Sequence, residues 1–450
     1  MSWPLTTARD DAGQLFIGGV PAAELAAIYG TPLYLYDEAT LRTNARTYRQ
    51  AFAAAYPRSR VIYAGKAGML PTLVNILWEE GIGLDVVSGG ELYAGLAAGV
   101  SPAAITFHGN NKASDELRAA LNAQIGLIAL DNEHEIDLLA ALVATDPGLH
   151  PAPIPVLLRL NPGVTAETHA KMRTGALDSK FGFPIATGAA AAAARVVADA
   201  AFDLVGYHAH IGSQVFDPFL VRETIATLMA FAAEVRDRHG IVPRVISPGG
   251  GFGVADDGSG IDVSLVTWAQ GAADALHTCC QRHSLPLPEL VVEPGRALVG
   301  PAGVALYRIG ARKEIPGVRT YVAIDGGMAD NIRPALYGSR YGAALVARPT
   351  TDGDLETVTI AGKYCESGDI LIEEIDLPQP RAGDLLAVPM AGAYCLAMAS
   401  NYNLAPRPAV VIVNAGQSRL IRRRETYTDL LAADILPNRD MGAQAAKKPW

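Results

Sequence analysis

The stretch VIYAGK, residues 61–66, is a short apolar run that ends in glycine and lysine. Seven further runs follow it, each rich in β-branched residues and closed by polar residues or glycine: GLDVVS (83–88), AITFHG (104–109), IGLIALD (125–131), VLLRLN (156–161), LVGYHAHIGS (204–213), RVISPGGG (244–251) and LVVEPG (290–295). Amphipathic segments lie between these runs and predict helices. About eight strand–helix repeats predict an α/β fold, a (β/α)8 TIM barrel.

The ends of these predicted strands carry polar residues or glycine: Lys66, Asp85, His108, Asp131, Asn161, His210, the glycines at 249–251 and Glu293. A barrel gathers such strand ends on one face, where barrel active sites lie. The rival fold is a doubly wound open sheet, but no GxGxxG turn follows the first strand. For Asp131 and Asn161 the sequence leaves a second interpretation open, in which each only caps the following helix.

The pattern changes after about residue 305. Strand-like stretches such as TYVAIDGG (320–327) and AVVIVNAG (409–416) alternate with turn residues, and few segments are helical. We therefore expect a barrel domain over 36–300 and a second, C-terminal β-sandwich or β-barrel-like domain over 301–450. Residues 1–35 are expected to contribute a strand to that β domain.

Composition limits the classes of function. The 450 residues are half hydrophobic and carry a net charge of −9, which argues weakly against nucleic acid or an anionic membrane as partner. No stretch reaches membrane-spanning length, and the first residues do not form a signal peptide pattern. The four cysteines match no zinc pattern and are too few for a disulfide framework, so we expect no metal and a cytoplasmic protein.

Lys66 is the first candidate for chemistry. A lysine at the carboxyl end of a barrel strand points toward the mouth of the barrel. We expect its side chain to be buried, where loss of solvation favours the neutral amine that forms a Schiff base with a carbonyl group.

Two further segments extend this site. In SPGGGFG (247–253), consecutive glycines allow backbone N–H groups to surround a phosphate. In HAHIGSQ (208–214), His208 and His210 share one face of a strand, so His210 can lie flat against an aromatic ring. The alternative is a zinc pair, which we disfavour because no third histidine or cysteine has suitable spacing nearby.

Glu293 and Arg296 lie in VEPGR (292–296), at the end of the last predicted barrel strand. A carboxylate opposite a pyridine nitrogen keeps the ring protonated, and a protonated ring accepts carbanion charge. This favours decarboxylation, whereas an arginine in place of Glu293 would favour racemisation. An amine, a stacking histidine, a phosphate cradle and an acid are the parts of a pyridoxal phosphate site.

In order, these and further motifs resemble those of the diaminopimelate decarboxylase family, which belongs to the alanine-racemase-like, fold type III class of pyridoxal phosphate enzymes. The resemblance covers about residues 30–430. The motifs are YAGKAG, LDVVSGGEL, FHGNNK, SKFGF, HAHIGSQ, PGGGFG, VEPGR, DGGMADNIRPALYGSRY, CESGD and GAYCLAMASNYN. The chain departs from the family pattern at Gly68 and at Ala329, where asparagine is usual.

The resemblance implies a role for each matching residue. Lys66 would be the Schiff-base lysine, His210 would stack on the ring, and Glu293 would pair with the ring nitrogen. The other cofactor-binding residues that it implies are Asp85, Ser213, Gly249, Gly250, Gly251, Gly295, Arg296 and Tyr394.

For the substrate, the resemblance implies carboxylate binding by Arg333 and Tyr337, with Arg296 and Tyr394 in contact with both substrate and cofactor. Cys365 would protonate Cα, and Glu366 would bind the distal ammonium group. Because these last two residues reach into the partner's site in this family, the resemblance implies a homodimer with shared active sites.

The expected activity is decarboxylation of meso-2,6-diaminopimelate to L-lysine and CO2, the last step of lysine biosynthesis. The nearest alternative is a decarboxylase of the same fold that acts on lysine, ornithine or carboxynorspermidine. A non-catalytic relative is disfavoured because Lys66 and Cys365 are both present. We also expect the segment around 165–185 to close over the site.

Overall fold

A computed structural model describes residues 2–146, 148–150, 153–164, 178–254, 264–348 and 354–435. Most of the segment that we expect to close over the site lies outside the described residues. None of the helices in the described part of the chain combines the length and apolar character that crossing a membrane requires.

The chain begins with a small antiparallel sheet and one helix before the barrel. Its elements are β1 (Ala8–Arg9), β2 (Leu15–Ile17), β3 (Val20–Pro21), α1 (Ala22–Tyr29) and β4 (Leu33–Asp37). Strands β1–β3 form the small sheet, whereas β4 lies in the sheet of the second domain. Asp37 at its end caps the next helix by accepting a hydrogen bond from the backbone N–H of Thr40.

Strands and helices then alternate. In chain order they are α2 (Glu38–Ala55), β5 (Ser59–Ala64), α3 (Pro71–Glu79), β6 (Gly83–Val86), α4 (Gly89–Ala97), β7 (Ile105–Phe107), α5 (Ser114–Asn122), β8 (Leu127–Leu130), α6 (Glu133–Thr145), β9 (Ile154–Asn161), β10 (Phe183–Pro184), α7 (Ala189–Ala198), β11 (Phe202–His208), α8 (Pro218–His239), β12 (Val245–Gly249), α9 (Leu265–His283), β13 (Glu289–Val292) and α10 (Arg296–Val299).

Eight of these strands form a closed parallel barrel, in the order β5, β6, β7, β8, β9, β11, β12, β13 and back to β5. Each of the eight runs identified in the sequence overlaps one barrel strand, and the predicted TIM-barrel fold is confirmed. Helices cover the outside of the barrel, as expected when a parallel sheet must be buried on both faces.

The second domain is a mixed sheet. Its elements in chain order are β14 (Gly303–Ile315), β15 (Arg319–Ile324), α11 (Arg333–Tyr337), β16 (Ala344–Leu345), β17 (Leu355–Ala361), β18 (Ile370–Pro378), β19 (Leu385–Pro389), β20 (Ala409–Asn414), β21 (Gln417–Arg422) and α12 (Tyr427–Leu430). Strand β4 lies in this sheet between β14 and β20, antiparallel to the first and parallel to the second. The exact division of the chain at residues 35 and 300 remains a prediction.

The inside of the barrel is filled by a separate apolar cluster: Ile62, Leu127, Ala129, Leu157, Val205, Val245 and Val291. Because side chains alternate along a strand, Glu293 faces inward two residues after Val291, and Arg159 two residues after Leu157. In β11 a register shift between Leu204 and Gly206 changes this alternation. Tyr207 therefore packs outward against Phe231, while His208 faces the interior.

Candidate active site

A cavity of about 420 Å³ opens at the carboxyl ends of the barrel strands, beside the second domain. It brings together most of the residues that the sequence singled out. Those that line it are Lys66, Asp85, His210, Ser213, Gly251, Glu293, Gly295, Arg296, Arg333, Tyr337 and Tyr394. The position agrees with the general placement of barrel active sites.

Lys66 lies in one turn of 3-10 helix, Gly65–Ala67, that follows strand β5. Its side chain is exposed to the cavity, so our expectation of a buried amine is wrong. The reason is that the strand ends at Ala64 and the short turn carries the lysine beyond the packed interior. The amine nevertheless lines the cavity, where it can react with a carbonyl group.

Glu293 forms the best-connected group at the bottom of the cavity. One carboxylate oxygen lies 3.0 Å from His208 Nε2, and the other accepts a hydrogen bond of 3.0 Å from the Ser247 hydroxyl. His108 Nε2 lies 3.5 Å from the same carboxylate. Burial opposes ionisation, but the two histidines outweigh it and hold the pKa of Glu293 well below its usual value.

A second buried carboxylate, Asp85, lies beside this group. Its carboxylate oxygen is 3.9 Å from His108 Nε2. Burial raises the pKa of Asp85 to about 6, with His108 acting in the opposite direction and Glu293 in the same direction. The barrel floor thus contains two carboxylates with opposite pKa shifts, which is common where acid–base chemistry takes place.

Asp131 does not cap the helix that follows it. Asp131 accepts a hydrogen bond from the Gly182 backbone and lies 3.3 Å from the guanidinium of Arg159, while Asn132 caps α6. The side chain of Asn161 accepts a hydrogen bond from the backbone N–H of Gly163. The capping interpretation is therefore wrong for Asp131, which instead orients a buried arginine in the cavity wall. For Asn161 it stays a prediction.

His210 contacts the glycine segment through its ring. Its Nδ1 accepts a hydrogen bond of 3.3 Å from the backbone N–H of Gly250. Removal from solvent, followed by the charge of Lys66, lowers the pKa of His210 well below its usual value. The ring is therefore neutral at physiological pH, so it can stack on a planar group without adding a charge to the cavity.

The glycines at 249–251 allow a very close approach of backbone segments. Gly249 and Gly251 have φ values of 79° and 97°, which favour glycine. A Cβ at any of the three would clash with backbone oxygens, those of Ala209, Glu293 and Gly212 respectively. Gly251 lines the cavity, whereas Gly249 and Gly250 are not among the described residues that line it.

Arg296 of the barrel domain meets aromatic and cationic side chains of the second domain at the cavity. The guanidinium carbon of Arg296 lies 4.8 Å from the centre of the Tyr394 ring. The corresponding carbon of Arg333 lies 5.8 Å from the Tyr337 ring and 5.9 Å from the Tyr394 ring. Two buried arginines between aromatic rings are suited to recognise carboxylate or phosphate groups.

Cys365 and Glu366 are not part of the cavity that the described residues form. Both side chains are exposed, on the turn between β17 and β18. The backbone N–H of Cys365 donates a hydrogen bond to the Asn403 side chain, and the Tyr402 hydroxyl donates one to its carbonyl oxygen. Within one chain, the structure therefore does not bring these two residues to Lys66.

Several buried polar atoms around the cavity lack hydrogen-bond partners among the described residues. They are Asp85 Oδ1, His108 Nε2, His208 Nδ1 and Arg296 Nε. Unsatisfied buried groups are rare unless a ligand or water completes them. Together with a reactive amine, an anionic carboxylate and a glycine-rich backbone, they fit a cofactor with an aldehyde, a ring nitrogen and a phosphate.

Three side chains at the barrel floor are close enough together to hold a metal ion, although the sequence predicted no metal site. Ligand atoms of His108, His208 and Glu293 lie within 4.8 Å of one another. The third histidine comes from a different strand, which the spacing argument for His208 and His210 could not reveal. Both Glu293 oxygens already have partners in His208 and Ser247, so these residues fit an internal hydrogen-bond network better than a metal site.

Sequence reasoning missed Arg159 and Ser247, and assigned no role to His108. Arg159 is a charged residue within an apolar strand, and its guanidinium stacks 4.3 Å from the Phe181 ring. A charge in the middle of a predicted barrel strand was the available signal, because an inward-facing charge needs a functional partner. Ser247 carried no such signal, since serine is common at strand ends.

Comparison with known proteins agrees with this site. The family described as "Pyridoxal-dependent decarboxylase, pyridoxal binding domain" matches residues 39–300. The chain is 46% identical to a diaminopimelate decarboxylase of Bacillus subtilis over 431 residues, covering 96% of this chain and 97% of that protein. It is 41% identical to one of Mycobacterium bovis, with coverage of 96% and 97%.

Solved structures give the same result. The crystal structure of diaminopimelate decarboxylase from M. jannaschii in co-complex with L-lysine superposes with a TM-score of 0.87 at 33% identity, covering 97% of this chain and 99% of that chain. The Helicobacter pylori enzyme complexed with L-lysine gives 0.82 at 28% identity, covering 91% and 98%. The cofactor is pyridoxal phosphate, and the chain belongs to the diaminopimelate decarboxylase family of pyridoxal-dependent decarboxylases.

Proposed function

We propose that this protein decarboxylates meso-2,6-diaminopimelate to L-lysine and CO2, the last step of lysine biosynthesis. The observation that carries the proposal is one cavity that holds the amine of Lys66, the ionised carboxylate of Glu293 and the buried guanidinium of Arg333. The high identity to diaminopimelate decarboxylases over nearly the whole chain supports the same conclusion.

Lys66 would hold the cofactor aldehyde, while the glycine segment 249–251 and Ser213 would surround its phosphate. Pyridoxal phosphate bound there supplies an electron sink for the negative charge that remains when CO2 leaves. Glu293 would retain a proton on the ring nitrogen, because its own carboxylate stays ionised beside His208 and His108. His210, neutral and next to Gly250, would pack on the ring face.

The substrate differs from lysine and ornithine by a second carboxylate at its far end. Arg333 is 2% exposed and lies beside Tyr337 and Tyr394, where it would bind that carboxylate. A bidentate contact between this arginine and the distal carboxylate would favour the substrate that carries this group. A decarboxylase for lysine or ornithine would also be expected to carry aspartate where this chain has Glu366.

The proposal includes a homodimer in which each site is completed by the other protomer. Cys365 of the partner subunit would donate its thiol proton to Cα, and Glu366 of the partner subunit would bind the distal ammonium group. Supporting this, Cys365 and Glu366 are exposed beside exposed apolar side chains of Tyr402, Leu404 and Tyr427. Such a patch around polar functional residues is typical of an interface.

Purified protein with added pyridoxal phosphate, offered meso-diaminopimelate, L-lysine and L-ornithine separately, tests the proposal. We expect CO2 and L-lysine from meso-diaminopimelate alone. Release of CO2 from lysine or ornithine, with none from meso-diaminopimelate, would overturn the substrate assignment but retain decarboxylation.

A cytoplasmic location is part of the proposal, because all four cysteines are free thiols.

A further inference from the structure

The guanidinium of Arg333 is held by two hydroxyl groups that lie outside the cavity wall. Its Nε donates a hydrogen bond of 2.9 Å to the Tyr341 hydroxyl, and its Nη2 donates one of 2.9 Å to the Ser339 hydroxyl. Nε and Nη2 share one edge of the planar fork. That edge is therefore fixed by the protein, and the Nη1 end of the fork is the part that neither hydroxyl engages.

Tyr341 is itself oriented by a buried thiol. Its hydroxyl oxygen lies 3.5 Å from Cys395 Sγ, and Cys395 in turn donates to the carbonyl oxygen of Ala393 at 3.6 Å. Burial raises the pKa of Cys395 to about 11, so its proton remains available for Ala393. The sulfur then accepts from Tyr341, which leaves the tyrosine oxygen to accept from Arg333.

These contacts form a chain with one direction, from Arg333 through Tyr341 and Cys395 to Ala393. Tyr341 is 6% exposed and Cys395 is fully buried, so water does not compete with its bonds. Hydrogen bonds that run in one direction in a buried site strengthen one another. The chain thus fixes the rotation of the guanidinium more firmly than a single contact would.

The orientation matters because an arginine recognises a carboxylate through two parallel N–H bonds with strict geometry. A guanidinium that turns about its long axis loses the second bond. The rings of Tyr337 and Tyr394 are both nearly 6 Å from the guanidinium carbon, so they restrict the space around it without fixing its rotation.

We propose that Tyr341 is a positioning residue for substrate selection: with Ser339 and Cys395, it fixes the guanidinium of Arg333 in the orientation that binds the substrate's distal carboxylate. This rests on the proposed function, in which Arg333 binds that carboxylate. Neither Tyr341, Ser339 nor Cys395 is among the residues that line the cavity in the described part of the chain. Their effect on the substrate therefore passes through Arg333.

Tyr341→Phe removes the hydroxyl and retains the packed ring. We expect KM for meso-diaminopimelate to rise about 10-fold or more, since a hydrogen bond to a charged group is lost, while kcat changes by less than about threefold. The inhibition constant for L-lysine, which keeps the distal carboxylate, should rise by the same factor. That for cadaverine, the diamine without the carboxylate, should stay unchanged.

The matched control is Tyr56→Phe. Tyr56 is also buried, and its hydroxyl donates a hydrogen bond to the carbonyl oxygen of Pro288. The two residues precede β5 and β13, at the end of these strands opposite the cavity. We expect it to lose similar stability with KM and both inhibition constants unchanged. If Tyr341→Phe fails to fold, Ser339→Ala removes the second contact to Arg333 from a half-buried position. It should raise KM for meso-diaminopimelate and the inhibition constant for L-lysine.

The proposal is overturned if Tyr341→Phe leaves KM and lysine binding within twofold of wild type, or weakens cadaverine as much as lysine. Binding of lysine and cadaverine is also measured by calorimetry on the cofactor-loaded protein. A wild-type protein that binds lysine but does not turn over meso-diaminopimelate would contradict the proposed function, while the calorimetric comparison would still decide the role of Tyr341.

Discussion

The barrel floor and the turn between β17 and β18 differ in how they hold their functional side chains. At the barrel floor, defined by Asp85, His108, His208 and Glu293, the groups are buried and contact one another within one chain. On the turn, Cys365 and Glu366 are exposed. Cys365 contacts Tyr402 and Asn403, and Glu366 accepts a hydrogen bond from the backbone N–H of Gly368.

The difference indicates two kinds of site in one molecule. A site whose residues all come from one chain holds its charged groups in buried contacts and shows strongly shifted pKa values, as Glu293 does. A site that needs another protomer carries functional residues on an exposed turn with apolar neighbours. Cofactor binding is therefore expected to be a property of the single chain, whereas turnover is expected to require the assembled dimer.

Glu293→Gln tests the role of the buried charge at the barrel floor. It removes the negative charge opposite the ring nitrogen while retaining size and one acceptor for Ser247. We expect kcat to fall about 100-fold, the usual scale for losing a positioned acid–base group. Steady-state kinetics with meso-diaminopimelate measures the change.

Glu289→Gln is the matched control, because Glu289 lies at the opposite end of the same strand, β13, and pairs with Arg60 on the outside. It should leave kcat within about twofold of wild type. Equal losses in the two variants would show that strand stability, rather than the charge of Glu293, determines the rate.

Gly250→Ala tests the phosphate side of the barrel site. The added Cβ would clash with the carbonyl oxygen of Glu293, so the glycine segment must shift. We expect cofactor affinity to fall about 10-fold and stability by about 1–3 kcal/mol. Gly188→Ala is the control, since its Cβ would meet only Pro184 at an ordinary 3.8 Å; equal cofactor affinity in both variants would contradict the cradle.

Asp330→Asn tests whether a buried carboxyl group in the second domain makes stability depend on pH, as a counterpart to the buried carboxylates of the barrel floor. Asp330 is a buried carboxylate that accepts hydrogen bonds from the Tyr307 hydroxyl at 2.6 Å and from the Gly327 backbone at 2.9 Å. Burial raises the pKa of Asp330 to about 6, although these hydrogen bonds oppose the shift. The folded state therefore binds its proton more tightly than the unfolded state, whose aspartate titrates near 3.9.

Ionisation of Asp330 therefore destabilises the folded state. As pH rises from about 4 to about 6, the wild-type protein loses stability at this group, by up to about 3 kcal/mol, and the asparagine variant does not. Denaturant unfolding across that window should show the advantage of the wild type over Asp330→Asn decreasing with pH. Exposed Asp274→Asn is the control, with a constant difference. If the stability difference between wild type and Asp330→Asn also stays constant with pH, the raised pKa of Asp330 is contradicted.

The fold and the barrel side of the site were predictable because each strand places its last inward residue at the same face. Lys66, His210 and Glu293 could be assigned from motifs at strand ends for this reason. The inward position of His208 depends on the register shift in β11, which no residue in that run announces. Only closure of the barrel brings His108 next to Glu293, since β7 and β13 are far apart in sequence.

The second domain was less predictable, because its functional groups depend on long-range packing. Motif resemblance suggested Arg333 as a carboxylate ligand, but its support by Tyr341 and Cys395 arises from contacts between segments that are 54 residues apart.

Within the barrel domain, Lys66 was expected to be buried, yet a single helical turn after Ala64 exposes it to the cavity. Such local geometry is not encoded in hydrophobic periodicity.

The most direct test of the shared site uses one heterodimer, isolated through two different affinity tags. One protomer carries Lys66→Ala, the other carries Cys365→Ala, and each homodimer should be nearly inactive. If Cys365 completes the partner's site, the heterodimer contains one damaged and one intact site, and we expect about half of wild-type activity. An inactive heterodimer would contradict the account, because it would mean that Lys66 and Cys365 act within the same chain.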